Sequence, residues 1–256
     1  MTGPRLTAAL ACVSALLLCA GVAGAQADAP RALRLIGAET DYYCFRKTQP
    51  GQPGGFACDL LQEMARRVGH PDTLDLYPLA RAIPIAAVSR NTLIAPVGRI
   101  AARETRFAWP IELFTEEFVV VTRRDANVDI SSESALRALD IGVVRDGAAV
   151  YLLQARNVRT LSLVSHDLLN ARKLAMKRID AWVSPWNAIL AAQRRAGLPA
   201  DQLRRGVVLA RVKVYVASSP DVDPAIAAQW KNALDTMRRD GTYDRLARQY
   251  HFIPAP

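Results

Sequence analysis

Residues 178–196 read RIDAWVSPWNAILAAQRRA, and the fold class turns on how this stretch is read. Asp180–Val183 is a short apolar run that reads as a strand. Ser184 follows as a capping residue, with Pro185 at the first helical position, where a missing N–H is tolerated. Apolar residues at helical spacing then carry a helix to about Ala196. The same strand-to-helix alternation recurs on the N-terminal side. Ser131–Leu139 is predicted as a helix, Ile141–Val144 as a strand, Gly147–Arg156 as a helix and Thr160–Val164 as a strand. Ser165 is expected to cap a helix carrying Leu168, Leu169, Ala171, Leu174 and Ala175.

A similar unit lies nearer the start of the chain. Ala32–Ala38 alternates like a strand, and Gln49–Gly55 is a loop by composition. The helix that begins at Phe56 and includes Val68 is stopped by Gly69. Leu74 and Leu76 mark a short strand, Leu79–Ser89 a helix interrupted by Pro84, and Thr92–Val97 a third strand. Val207–Ala217 is long, apolar and β-rich, and two apolar strands, 118–122 and about 211–217, join the units. Asp223-Pro224 opens a helix through Trp230 and Met237 that ends at Asp240-Gly241, and Tyr243–Tyr250 is a last short helix. Alternating strands and helices imply an α/β fold with mostly parallel sheets, here in two lobes joined by two crossover strands. Ligands of such folds bind at strand carboxyl ends and between domains.

The composition sets outer limits. With 51% hydrophobic and 22% charged residues, the chain is not intrinsically disordered. No repeat of solenoid or propeller length is visible. Residues 1–25 read as a signal peptide: Arg5, an apolar run from Leu6 to about Ala20, and Ala23-Gly24-Ala25 as the cleavage site. Leu18 before Cys19 disfavours lipid attachment, so a soluble periplasmic protein is expected. Cys44 and Cys58 remain after processing. An oxidising compartment permits a disulfide between them, since both flank a Gly/Pro-rich turn, while two unrelated buried thiols is the alternative. His70, His166 and His251 lack metal-ligand spacing, and no nucleophile elbow, phosphate loop or dinucleotide fingerprint occurs. No cofactor is expected. The net charge of +9 is spread along the chain without a nucleic-acid motif, which points instead to anionic solutes or a membrane surface.

Several segments carry a resemblance in a fixed order: RLIGAETDYYCF, GGFACDLLQEMARRVG, IAARETRFAWP, IGVVRDGA, RIDAWVSPWNAI and MRRDGTYDRLARQY. Together they resemble the bacterial extracellular solute-binding proteins of family 3, as a divergent branch. The resemblance implies a type II two-lobed binding protein that closes on a small solute. Lobe one would comprise residues 28–119 and 213–256, and lobe two residues 120–212. A monomer is implied, partnered by an ABC transporter permease or a membrane receptor.

The resemblance also implies site residues. Arg103 matches the arginine that grips a ligand carboxylate, a task suited to a permanently charged two-pronged donor. The alternative is a surface arginine paired with Glu104. Gly98 flanks the same loop, as does Ile100, where relatives usually carry a hydroxyl. Glu39, Tyr42 and Tyr43 follow the first strand and would reach the solute or line the mouth. Leu79 stands where many members place an aromatic. Arg145, Asp146 and Gly147 follow a strand and can hold an anion through backbone N–H groups. Pro185 stands where amino-acid receptors carry the aspartate that binds an α-ammonium, so common α-amino acids are expected to be poor ligands. Trp182 and Trp186 read as packing residues rather than stacking surfaces. A receptor without enzymatic activity is the leading reading. The alternatives are an exported enzyme on the same scaffold, similar to cyclohexadienyl dehydratases, and a sensor without transport.

Overall fold

The computed structural model describes residues 32–47, 53–71 and 73–256. The expected leader, and most of the Gln49–Gly55 loop, lie outside the described residues. Among the described residues ten strands run in chain order: β1 (Arg34–Glu39), β2 (Phe45–Arg46), β3 (Pro53–Gly54), β4 (Leu74–Pro78), β5 (Thr92–Gly98), β6 (Ala108–Arg123), β7 (Ile141–Val144), β8 (Leu161–Val164), β9 (Ala181–Pro185) and β10 (Leu203–Ser218). The α-helices are α1 (Phe56–Arg67), α2 (Leu79–Val88), α3 (Ala148–Gln154), α4 (Asp167–Ala175), α5 (Trp186–Ala196), α6 (Pro224–Arg239) and α7 (Thr242–Gln249).

Eight strands share one sheet in the order β4-β1-β5-β10-β6-β9-β7-β8. β1 lies parallel to β4 and β5, and β7 parallel to β8 and β9. Between these parallel triplets run β6 and β10, 16 residues each, antiparallel from Leu203 opposite Arg123 to Ser218 opposite Ala108. β5 flanks only the Val214–Ser218 end of β10, and β9 only Phe118–Val121 of β6. The sheet is therefore two strands wide at its waist. This is the expected two-lobed α/β arrangement with two crossover strands.

Apolar burial holds each half together. In α1, Phe56, Leu60, Leu61 and Met64 are fully buried, each stabilising the fold by about 1.5–3 kcal/mol. They pack with Leu93, Ile111, Trp230 and Leu234. In the other half, Ile141, Val143, Leu153 and Val183 form a second cluster against β6 and β10. Cys44 and Cys58 form a disulfide, with Cα atoms 5.0 Å apart, that ties the loop after β1 to the first turn of α1. Gly55, at φ +105°, makes this junction possible, because a Cβ there would stand 2.6 Å from the Tyr43 carbonyl carbon.

Three local expectations are corrected. Ser131–Leu139 is not an α-helix; only Ala135–Ala138 coils, as one 3₁₀ turn. The Asp129 carboxylate accepts from the Ser131 N–H at 2.9 Å and from its hydroxyl at 2.7 Å, a local bond that competes with helix formation. Ser165 does not cap α4. His166 occupies that position without a side-chain bond. Ser184 belongs to β9, and Pro185 itself is the N-cap of α5. By contrast, Asp223 caps α6 as expected, accepting from the Ala225 N–H at 2.7 Å.

Candidate functional site

The carboxyl ends of β1, β5, β8 and β9 converge on one cavity, at the position the α/β topology favours. It encloses about 100 Å³, room for a few waters or one small solute. The loop after β1 contributes Thr40, Asp41 and Tyr43, and the end of β5 contributes Gly98. The segment after β8 contributes Ser165, His166 and Asp167, and β9 contributes Ser184 and Pro185. Glu116 and Phe118 enter from the crossover strand β6. The start of α3 closes the wall with Gly147, Ala148 and Ala149.

Arg103 is the cation of this wall. It ends a 3₁₀ turn, Ala101–Arg103, which directly follows the short link after β5. The residue is only 4% exposed. Its guanidinium donates to the Gly98 carbonyl at 3.2 Å and to the Asp146 carbonyl at 2.7 Å, and it lies 5.8 Å from the Tyr151 ring centroid. No carboxylate pairs with it among the described residues. The alternative pairing with Glu104 does not occur, because Glu104 is bound by Arg99 at 2.5 and 3.0 Å. Burial lowers the Arg103 pKa to about 10, so the group keeps its charge at neutral pH.

Two buried acids face the same space, and neither was singled out from the sequence. Asp167 opens α4 and is held from both sides: the Trp182 indole N–H donates to Oδ1 at 2.9 Å and the Ser184 hydroxyl to Oδ2 at 2.9 Å. Burial raises its pKa to about 6, the two donors opposing that rise. Glu116 is 1% exposed and accepts from the Asn187 amide at 3.0 and 3.2 Å. Burial pushes its pKa up to about 8. Neither acid has a Lys or Arg partner among the described residues. Three further polar atoms on this wall, Thr40 Oγ1, the Tyr43 hydroxyl and His166 Nδ1, are buried without a hydrogen-bond partner. Buried polar atoms are nearly always satisfied, by protein or by ordered water, and three such atoms on one wall make this cavity the candidate site.

Asp41 crosses the cleft. It follows β1 in one half, and its carboxylate accepts from the Leu168 N–H of α4 at 3.1 Å and from Arg195 of α5 at 2.6 Å in the other. His166 Nδ1 stands 3.8 Å from the same carboxylate. Together with the Arg103–Asp146 bond, these contacts draw the two halves over the cavity.

Of the residues named from the sequence, Arg103, Tyr43, Leu79, Gly98, Gly147 and Pro185 line the cavity. Glu39 does not; it pairs with Arg46 at 2.9 Å. Tyr42 is buried away from the cavity, with its hydroxyl donating to the Tyr250 carbonyl at 3.0 Å. The side chains of Arg145 and Asp146 are exposed, and Asp146 reaches the site only through its carbonyl. Trp182 is core, and Trp186 stacks on Arg205 at 4.9 Å near the waist. Ile100 is absent from the wall. Among the described residues no group of three or more His, Cys, Asp or Glu is placed to hold a metal ion, and no helix is long and apolar enough to cross a membrane.

Two lobes meeting at a two-stranded waist, over a cavity whose wall carries Arg103, Asp167 and Glu116, define a solute-binding class of protein. Residues 35–253 match the model of the bacterial extracellular solute-binding proteins, family 3, and the chain belongs to that family. It is similar to the lysine/arginine/ornithine-binding periplasmic protein of Escherichia coli strain K12, at 24% identity over 89% of this chain and 90% of that one. It is also similar to the probable amino-acid-binding protein YxeM of Bacillus subtilis strain 168, at 22% identity over 84% and 82%. Among solved structures, a histidine kinase sensor domain with similarity to periplasmic binding proteins superposes with a TM-score of 0.76 at 19% identity, covering 88% of this chain and 98% of that one.

Proposed function

We propose that the protein is an exported, periplasmic, non-catalytic receptor that closes on a small carboxylate-bearing solute and presents it to an ABC transporter or a membrane receptor. The supporting observation is the charge pattern of the cavity. Arg103 is a buried cation without a counter-ion, and Asp167 and Glu116 are buried acids without one. An unpaired buried charge is costly, and a ligand of opposite charge relieves it. A zwitterion satisfies both signs at once, its carboxylate on Arg103 and its ammonium on the acidic wall.

This changes the expectation drawn from Pro185. Pro185 indeed supplies no charge, but Ser184 beside it is bonded to Asp167, so an acid stands at that wall from a different element. Amino-acid-like solutes are therefore the leading class. The proposed lobes are residues 28–119 with 213–256, and 120–212, swinging about β6 and β10. Thermal shift of the mature protein against carboxylates, amines and amino acids tests the reading, since a bound ligand raises the melting temperature by mass action. Stabilisation by carboxylates that disappears in Arg103→Ala supports it. Conversion of the bound solute to a product would replace the receptor with an enzyme.

A further inference from the structure

Resting on the reading of this cavity as the solute site, we propose that Glu116 exchanges its own proton for the cationic group of the ligand, so that solute capture releases a proton. Glu116 sits on β6 at the waist, in the wall of the cavity, and is 1% exposed. Asn187 donates to it at 3.0 and 3.2 Å, and that amide cannot swing away. Its oxygen accepts from the Ile253 N–H at 2.9 Å, and its nitrogen also donates to the Ile253 carbonyl at 2.8 Å. The Tyr43 hydroxyl is buried against Glu116, and burial holds that phenol protonated; the phenols of Tyr42 and Tyr243 also lie within electrostatic reach.

The charged groups around Glu116 leave the cation missing. Its neighbour Glu117 is engaged by Arg205 and Arg211. Asp41 is engaged by Arg195, and Arg103 is bonded to the carbonyls of Gly98 and Asp146. His166 and Asp167 line the same wall, but Asp167 already has two donors. A buried carboxyl lacking a cation keeps its proton at neutral pH, in line with a pKa near 8. An ammonium or guanidinium placed against it supplies the missing charge. The carboxyl O–H bond then breaks, the carboxylate pairs with the ligand cation, and the proton passes to the buffer. By linkage, affinity rises about tenfold per pH unit below the pKa of the empty site and levels off above it.

The test is calorimetric titration of the mature protein with L-lysine, L-norleucine and hexanoate, in phosphate and in Tris at pH 7. These probes share a six-carbon frame and carry two, one and no ammonium groups. Release of about one proton by an amine-bearing probe, none by hexanoate, and roughly tenfold tighter amine binding at pH 7.5 than at 6.5 are the expected results. Glu116→Gln removes both the release and the pH slope. Glu116→Asp, which keeps the carboxyl, retains the release and controls for misfolding. Amine binding without proton release, or an unchanged pH slope in Glu116→Gln, overturns the proposal. So does binding of hexanoate alone, which leaves the carboxylate site standing. Failure of all three probes overturns this proposal and, if the wider thermal-shift panel is also empty, the receptor reading with it.

Discussion

Replacing Glu116 by glutamine is expected to stabilise the empty protein as the pH rises. In the unfolded chain the carboxyl loses its proton near 4.5, and in the folded chain near 8. Between these values the folded state holds a proton that the unfolded state does not, so the unfolding free energy falls with increasing pH. Below the lower value both states are protonated and nothing is lost; above the upper value the loss is complete. At about 1.4 kcal/mol per pH unit, and allowing for partial titration near pH 8, the fall from pH 6 to pH 8 is roughly 2 kcal/mol. Asp167 acts in the same direction, but its fall is nearly over at pH 6 and is common to both proteins. Glutamine keeps the shape and can still accept from Asn187, but it cannot titrate. Urea denaturation at pH 6, 7 and 8 should therefore show the wild type losing about 2 kcal/mol more than Glu116→Gln. Equal losses in the two proteins would refute the claim that a buried, unpaired carboxyl sits at this position.

Asp41→Ala removes the acceptor of the Leu168 N–H and of Arg195 across the cleft, contacts worth about 1–2 kcal/mol together. A five- to thirtyfold faster ligand dissociation is expected by stopped-flow fluorescence, and an unchanged rate would mean that Asp41 does not clasp the halves. Free-thiol titration of the unfolded, non-reduced mature protein should find none, because Cys44 and Cys58 are bonded. The double alanine variant should unfold with about 3 kcal/mol less free energy. N-terminal sequencing of exported protein should begin at Gln26; an intact residue 1–25 segment would show that the leader is not processed there.

The architecture was legible because hydrophobic periodicity and helix punctuation agree along most of the chain. The waist was only half visible. Phe118–Thr122 announces itself as an apolar run, but Trp109–Glu117 mixes proline, acids and aromatics, and only pairing with β10 makes it a strand. Arg103 was found through its motif. Glu116 and Asp167 were not, for different physical reasons. Glu116 sits beside an exposed-looking acid in a strand whose alternation, read alone, does not tell which of Glu116 and Glu117 faces the cavity. Asp167 looks like an ordinary first-turn acid of a helix, and its role depends on Trp182 and Ser184 arriving from β9. Asp41 was not singled out: the resemblance points to Glu39, and the sequence alone does not reveal the turn at Thr40–Cys44 that carries the later acid across the cleft.

The central claim is that a solute carboxylate binds Arg103 in the cavity between the lobes. Calorimetric titration of wild type, Arg103→Ala and Arg103→Lys tests it most directly, using whichever carboxylate shifts the melting temperature most. A buried carboxylate left without its partner costs about 3–5 kcal/mol, a loss of some hundredfold or more in affinity for Arg103→Ala. Arg103→Lys should recover part of that, since an ammonium lacks the two-pronged geometry. Unchanged affinity in Arg103→Ala would contradict the assignment.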